Sequence, residues 1–405
     1  MEFKTHKLEN GLTIIGELNK SAKSASVGFF VRTGSRDETM QINGVSHFLE
    51  HMVFKGTDKL SALAVNKEFD KTGAHYNAFT SEENTVFWAG VLPEFLDEIT
   101  QLWVELMRPA LRTDDFNLEK NVIKEEIAMY QDQPNYDVYD RCRSLYFGSH
   151  PCGHSVLGSV ENIDALTADQ MREYFNSRYA PNNMVAAIAG NFDWNKIRNI
   201  IEKGCSKWEK RDAKRQLTNT RGTSQKQRIV KANLVREHIA LISPSVSAQD
   251  PKRYAASLLS TIVGDEVGSR FFWELVDKAI AENASMEFSA MDGCGANYIY
   301  VRCSSANAGK SIDIINRIFA ELSQKGITEN ELTKAKNKVL SALVIKNELP
   351  MGRLVDVGFN WTYLREYRKI EQEVASVKAV TVADVNALLK DYPLSPYAQF
   401  TLAPA

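Results

Sequence analysis

Hydrophobic and polar positions recur with two periods along this chain, and the switches between them mark its elements. Phe3 to Leu8 and Leu12 to Leu18 read as two strands joined at Glu9-Asn10-Gly11, because Asn-Gly favours a tight turn with positive φ at both central residues. Val27, Phe29 and Val31 alternate within residues 26–33 and predict a third strand. The period lengthens to that of a helix over residues 44–54 and 63–72, then returns to strand over 73–81 and 85–91. Pro93 opens a helix through Met107, with Leu96, Ile99, Leu102, Trp103 and Leu106 at helical spacing. Another is predicted from Thr113 to about Gln131, ending before Pro134. Residues 165–177 read as a helix capped by Thr167, residues 183–190 as a buried strand, and residues 194–203 as a short helix.

From Lys207 to Lys231 apolar content collapses and charge rises, which predicts a solvated linker close to the midpoint. The expected division is therefore residues 1–207, a charged linker at 208–230, and residues 231–405. The halves look related. An offset of 216 places Leu96, Asp97, Ile99, Leu102, Trp103, Glu105 and Leu106 on Ile312, Asp313, Ile315, Ile318, Phe319, Glu321 and Leu322. The same offset places Phe116, Lys120, Asn121, Ile123 and Ile127 on Leu332, Lys336, Asn337, Val339 and Leu343. Matching polar residues, in register over two helices, favour common ancestry over coincident amphipathicity.

The chemistry is concentrated in Gly44-Val45-Ser46-His47-Phe48-Leu49-Glu50-His51-Met52-Val53-Phe54. On a helix His47, Glu50 and His51 share one face, since positions i, i+3 and i+4 are neighbours. Two imidazoles one turn apart can share a metal ion, and a carboxylate between them can hold a metal-bound water; H-x-x-E-H is the inverzincin order. An offset of 210 sets Ser257, Ser260 and Thr261 against His47, Glu50 and His51, so the second half keeps the helix and loses the metal face. A third ligand is expected from the helix at Thr113. There Glu119 and Glu126, two turns apart, project from the apolar face, whereas Glu125 sits among lysines. Buried carboxylates are costly without a cation. At the matching positions of the second half stand Ala335 and Ala342. Glu126 is assigned as third zinc ligand and Glu119 as the group that orients a histidine or assists proton transfer, although the wheel leaves these two roles interchangeable. Two histidines and a glutamate leave the fourth position of one zinc ion open, as catalytic sites do. Glu50 would take a proton from water and return it to the leaving amine, so the reaction class is amide hydrolysis.

Composition narrows the setting. Forty-nine basic and 51 acidic residues give a net charge of −2, which offers nothing to nucleic acid or an anionic membrane. No segment is long and apolar enough to be a membrane span. The N-terminus has no apolar signal core, and five scattered cysteines without a C-x-x-C pair suit reduced thiols. The expectation is a soluble cytoplasmic protein. His150-Pro151-Cys152-Gly153-His154 is spaced too tightly for one tetrahedral site and reads as a turn, and His75 reads as structural.

His47-Phe48-Leu49-Glu50-His51, followed after 74 residues by Glu126, resembles the signature of the pitrilysin-like (M16) zinc peptidases. Further matching stretches are Asn77-Ala78-Phe79-Thr80, residues 119–126, His150-Pro151 with Gly158, residues 179–184 with Gly190-Asn191, Asp250-Pro251, Gly268-Ser269-Arg270, and residues 292–301. The length resembles the short, two-domain branch that includes the mitochondrial processing peptidase. The resemblance implies an α+β fold of two homologous domains, each an antiparallel sheet packed with helices, arranged as a dimer that admits unfolded peptides. It also implies that Asn77, Ala78 and Phe79 lie on an edge strand to which substrate adds as a further strand. One departure matters. Active members carry an Arg and a Tyr in the second half that grip the substrate carbonyl; here Val276 and Asn283 occupy those places, and Ile280 replaces a glycine. That points to a hetero-oligomer in which a zinc-less homologue supplies the Arg/Tyr pair. The rival reading is a non-catalytic assembly protein of the same fold, like the respiratory core subunits.

Overall fold

The computed structural model describes residues 1–215, 217–218 and 220–405. In chain order the first half runs β1 (Glu2–Lys7), β2 (Thr13–Leu18), β3 (Ala25–Val31), α1 (Val45–Val53), α2 (Ala62–Thr72), β4 (His75–Thr80), β5 (Thr85–Val91), α3 (Leu96–Leu106), α4 (Thr113–Gln131), α5 (Pro134–Phe147), α6 (Val160–Ala165), α7 (Ala168–Arg178), β6 (Met184–Gly190) and α8 (Trp194–Cys205). The second runs β7 (Lys226–Val230), β8 (Glu237–Ser245), α9 (Arg253–Gly264), β9 (Asn283–Ala290), β10 (Gly295–Cys303), α10 (Ser305–Lys325), α11 (Glu329–Asn347), α12 (Pro350–Leu364), α13 (Ile370–Ala379), α14 (Val382–Asp391) and β11 (Ala398–Ala403).

Each half builds one sheet. The first is ordered β1-β2-β6-β3-β5-β4 and the second β7-β11-β8-β10-β9. Apart from the extra edge strand β1, the two orders match strand for strand. Both sheets are mixed rather than antiparallel throughout: β2 runs parallel to β6, and β7 parallel to β11. A parallel pair needs a crossover, and in each half the intervening chain, three strands together with several helices, supplies it. The central strands β3 and β6 are buried along their whole length, with apolar residues and small Ala and Gly facing both layers. Helix boundaries repeat under the offsets read from sequence. α4 moved by 216 is α11, and α1 moved by 210 falls within α9. The helix expected over residues 165–177 is α7, capped as expected by Thr167, whose capping box starts it at Ala168 and leaves Ala165 at the end of the separate α6. The first hairpin also differs from expectation: φ is positive at Gly11 only, within a connection closed by Leu8 N–H donating to Leu12 O.

The compact units do not follow the contiguous division at 208–230. One comprises Met1–Ala128, His154–Gln216 and Val344–Arg368; the other comprises Met129–Gly153, Leu217–Leu343 and Lys369–Ala405. α5 and α12 are equivalent under the same offset of 216, and each belongs to the unit of the other half. α12 lays Leu354 and Val357 against Ile15, Phe30, Val185 and Ala187 of the first sheet. α5 lays Val138 and Cys142 against Ala240, Ile242, Ala398 and Phe400 of the second. Arg353 of α12 is clamped on both oxygens of Glu17 in β2, both side chains buried. The expected linker is not all solvated. Arg215 is buried and donates to both oxygens of Asp37 and to Glu83 O, while Lys226–Val230 pairs as β7. Positions 216 and 219 of that stretch lie outside the described residues.

Candidate metal centre

The site is assembled within the first unit from α1, α4 and the end of β4. α1 buries Phe48, Leu49, Met52 and Val53, and Phe48 stacks on Phe116 of α4 with ring centroids 4.7 Å apart. Ile123 and Ile127 bury the same face of α4, which turns Glu119 and Glu126 toward α1. Apolar packing therefore sets the spacing of the polar groups.

His47, His51 and Glu126 offer ligand atoms that all lie within 4.8 Å of one another, the one such group among the described residues. Glu126 Oε2 is 3.3 Å from His51 Nε2, and Oε1 is 3.6 Å from His47 Nε2. Glu119 stands on the far side of His51. Its Oε1 accepts from His51 Nδ1–H at 2.9 Å, and its Oε2 pairs with Lys55. The two carboxylates, interchangeable on a helical wheel, are thus separated by which ring nitrogen each meets. Glu50 points elsewhere: its Oε2 accepts a 2.7 Å hydrogen bond from Thr80 Oγ1 at the end of β4.

The electrostatics divide the histidines. Burial pushes His47 down to about 4, helped by the neighbouring His51 charge and opposed by Glu126. Burial also lowers His51, but hydrogen bonds to Glu119 and Glu126 outweigh it and hold the imidazole at about 9. Burial raises Glu50 above the usual carboxylate range, against the Thr80 hydrogen bond and the His51 charge. Glu119 and Glu126 are both held low, since bonds to His51, and to Lys55 for Glu119, exceed their burial cost.

His47 Nδ1 is buried and makes no hydrogen bond among the described residues, and Nε2 is too far from Glu126 for one. A buried imidazole left so is costly unless something else binds it. Neutral at pH 7, it keeps one ring-nitrogen lone pair free and meets the requirement of a metal ligand. Two imidazole nitrogens and one carboxylate oxygen fit zinc with one position open.

Asn77, Ala78 and Phe79 lie on β4, which ends the sheet and, among the described residues, pairs with β5 alone. Asn77 and Phe79 are exposed and Ala78 is buried. Thr80 closes that strand on Glu50. Val276 and Asn283 belong to the second unit, where Val276 packs on the core and Asn283 opens β9 opposite Arg302. The His150–His154 turn does not gather its side chains: His150 Nε2 meets Thr218 O, and His154 Nδ1 meets Ser35 O. His75 lies against Trp88. Two contributors were not legible as such in the sequence, Thr80 and Lys55: Thr80 stood within a stretch already singled out, whereas no local spacing ties Lys55 to Glu119.

Residues 13–160 match the family model for "Insulinase (Peptidase family M16)", and residues 165–339 match "Peptidase M16 inactive domain". An uncharacterized zinc protease of Streptomyces coelicolor is 30% identical over 393 residues, 95% of this chain and 86% of that one. One of Bacillus subtilis is 29% identical over 405 residues, covering 100% and 98%. The beta subunit of the Saccharomyces cerevisiae mitochondrial-processing peptidase is 28% identical, covering 98% and 90%. A Helicobacter pylori protease of known structure shares the fold at a TM-score of 0.90 and 22% identity, over 100% of both chains.

Proposed function

The chain belongs to the pitrilysin-like (M16) family of peptidases, and from that premise we propose that it is a zinc-dependent endopeptidase subunit that hydrolyses peptide bonds of unfolded peptides. The observation that carries this reading is the convergence of His47, His51 and Glu126 beside a Glu50 tied to the edge strand. These three residues would hold one zinc ion, which when bound supplies a Lewis acid for the scissile carbonyl and acidifies a water.

The chain's own residues do the rest. Glu50, raised above the ordinary carboxylate range, receives a proton and passes it to the leaving amine. Thr80 fixes one of its oxygens and leaves the other to accept. Glu119, backed by Lys55, fixes the tautomer of His51 by accepting the Nδ1–H hydrogen bond, which keeps the proton on Nδ1 and leaves Nε2 facing Glu126. Peptide adds to the open side of β4 at Asn77, Ala78 and Phe79 through backbone hydrogen bonds, which selects extended, disordered chains over particular sequences. A zinc-less homologue supplies the Arg/Tyr pair replaced here by Val276 and Asn283, the kind of oxyanion contact whose loss costs about 10²–10³ in rate. Five buried cysteines, none joined in a disulfide, support a reducing compartment, and among the described residues no helix is long and apolar enough to cross a membrane.

Those two substitutions also favour a second reading, a non-catalytic assembly subunit. Zinc analysis and cleavage of an unfolded peptide decide, with the chain alone, with its homologue, and with Glu50→Gln as control. Zinc bound at one per chain, with cleavage that needs the homologue and disappears in the control, supports the peptidase. Absence of zinc, or equal cleavage by the control, refutes it. Ordinary peptidase rates from the chain alone refute the need for a partner.

A further inference from the structure

α1 carries the candidate metal face on nine residues, too short to be stable alone, and it lacks a cap of its own. Its N-cap position is Gly44, in the left-handed region with φ 97°, and no side chain there reaches the helix. Nor could one be added: a Cβ at Gly44 would meet Leu157 O at 2.6 Å. The first amides of α1 therefore need an acceptor from outside the helix.

Glu38 provides it. Its Oε1 accepts from Ser46 N–H at 2.7 Å, and its Oε2 accepts from Gly44 N–H at 2.7 Å and Asn43 Nδ2 at 2.8 Å. One carboxylate thus performs both halves of a capping box, taking the N-cap amide and an amide of the first turn; burial pushes it up to about 7 against these hydrogen bonds, and its ionised form places negative charge at the positive end of the helix dipole. It is buried, so no water substitutes for it. A second layer holds the arrangement. Ser46 Oγ and Thr33 Oγ1 each lie 2.8 Å from Tyr174 OH, and Asn43 Nδ2 also donates to Ser155 O. His47 follows Ser46 directly, so the position of its ring depends on where this first turn is pinned. The second half offers the contrast. The offset that lays α1 on α9 brings Ala248 to the place of Glu38, and α9 has no side-chain cap and no metal face.

We infer that Glu38 is a positioning residue of the metal site, whose carboxylate pins the first turn of α1 and so fixes His47 against His51 and Glu126. The inference rests on the proposed peptidase reading for its functional consequence. The test is Glu38→Gln, which keeps the shape but sets an amide NH2 against one group of donors. Relative to wild type, zinc should bind about tenfold more weakly, kcat should fall with KM for peptide unchanged, and amide exchange at Gly44 and Ser46 should quicken. Arg353→Met, a lesion elsewhere in the same unit, serves as comparison. It should lower the unfolding midpoint while leaving zinc affinity and exchange in α1 as in wild type. Unchanged zinc affinity and unchanged exchange in Glu38→Gln overturn the inference, as does an equal loss of zinc in Arg353→Met. If Glu38→Gln does not fold, Glu38→Asp, which withdraws the carboxylate by one methylene, is read against the same expectations. If the wild type binds no zinc, the peptidase reading fails, and the exchange rates alone still decide whether Glu38 pins α1.

Discussion

Replacing Glu119 and Glu126 separately by Gln tests the geometry most directly, because the two carboxylates are related by two turns of one helix and differ in what they meet. Glu126 lies within reach of both His47 Nε2 and His51 Nε2, whereas Glu119 meets His51 Nδ1 and Lys55. Glu119→Gln removes one charge-assisted hydrogen bond to the ring, about 1.5–3 kcal/mol. That corresponds to roughly 10–100-fold in zinc affinity, the range found for groups that orient a metal-bound histidine. Glu126→Gln removes a charged donor itself. Dividing about 10–16 kcal/mol of zinc binding over four positions gives about 3–4 kcal/mol for one of them, or roughly 10²–10³-fold. Competition with a chromophoric chelator measures both constants in one titration format. The expected order is wild type, then Glu119→Gln, then Glu126→Gln, with about a tenfold gap between the variants at the centres of the two ranges. Equal losses, or a larger loss in Glu119→Gln, would refute the assignment and exchange the two roles.

Glu50→Gln should keep its zinc and lose peptide cleavage by about 10²–10⁴; parallel metal analysis and cleavage assays check this, and loss of zinc would mean that Glu50 is a ligand. The metal-free protein should lose stability as pH rises from 6.5 to 9. His51 is raised from 6.5 to about 9, so its stabilisation, about 3 kcal/mol by linkage, is complete below pH 6.5 and lost as pH rises to 9. Below 6.5 two groups oppose each other: His47, depressed to about 4, favours the higher pH, and buried Glu38, raised to about 7, favours the lower. Urea unfolding in chelator at pH 6.5 and 9 tests the loss, and stability rising steadily from 6.5 to 9 contradicts it. Arg353→Met leaves Glu17 buried without its charged partner and should cost about 3–5 kcal/mol; an unchanged denaturant midpoint would show that α12 does not depend on this ion pair.

Much of this site was legible because helical periodicity is local. His47, Glu50 and His51 fall on one face of any helix drawn through them, and the apolar residues around Glu119 and Glu126 put those carboxylates on the packed face of α4. The roles within each set were not legible, since a wheel gives azimuth and not depth. Glu119 is almost fully buried beside Lys55, while Glu126 is partly open between the histidines. Long-range choices were illegible for a related reason. α5 and α12 have patterns that require a sheet to pack on, and nothing in either pattern says which sheet. Arg215 looks like one charge among many in a polar stretch, and only Asp37 and Glu83, more than a hundred residues away, make it a buried clamp. The parallel pairs escaped because alternation fixes the faces of a strand and not its neighbours.

The second unit shows what α1 would look like if packing alone had chosen its polar residues. In α9 the residues matching Glu50 and His51 are Ser260 and Thr261, and both hydroxyls donate to Ser257 O within the same helix. Their hydrogen bonding is complete without help from any other element. Opposite them, where Glu119 would stand, Ala335 is buried and asks for nothing. α1 is built in the opposite way. Glu50 depends on β4, His51 on α4, and His47 retains a buried nitrogen that no described group satisfies. The sheet order and helix lengths of the two units show that the fold tolerates the self-satisfied arrangement, which avoids the cost of desolvating two histidines and three carboxylates. The expensive arrangement persists in the unit where a single ion at His47, His51 and Glu126 would offset that cost, and this difference between the copies is the physical argument for metal over mere packing.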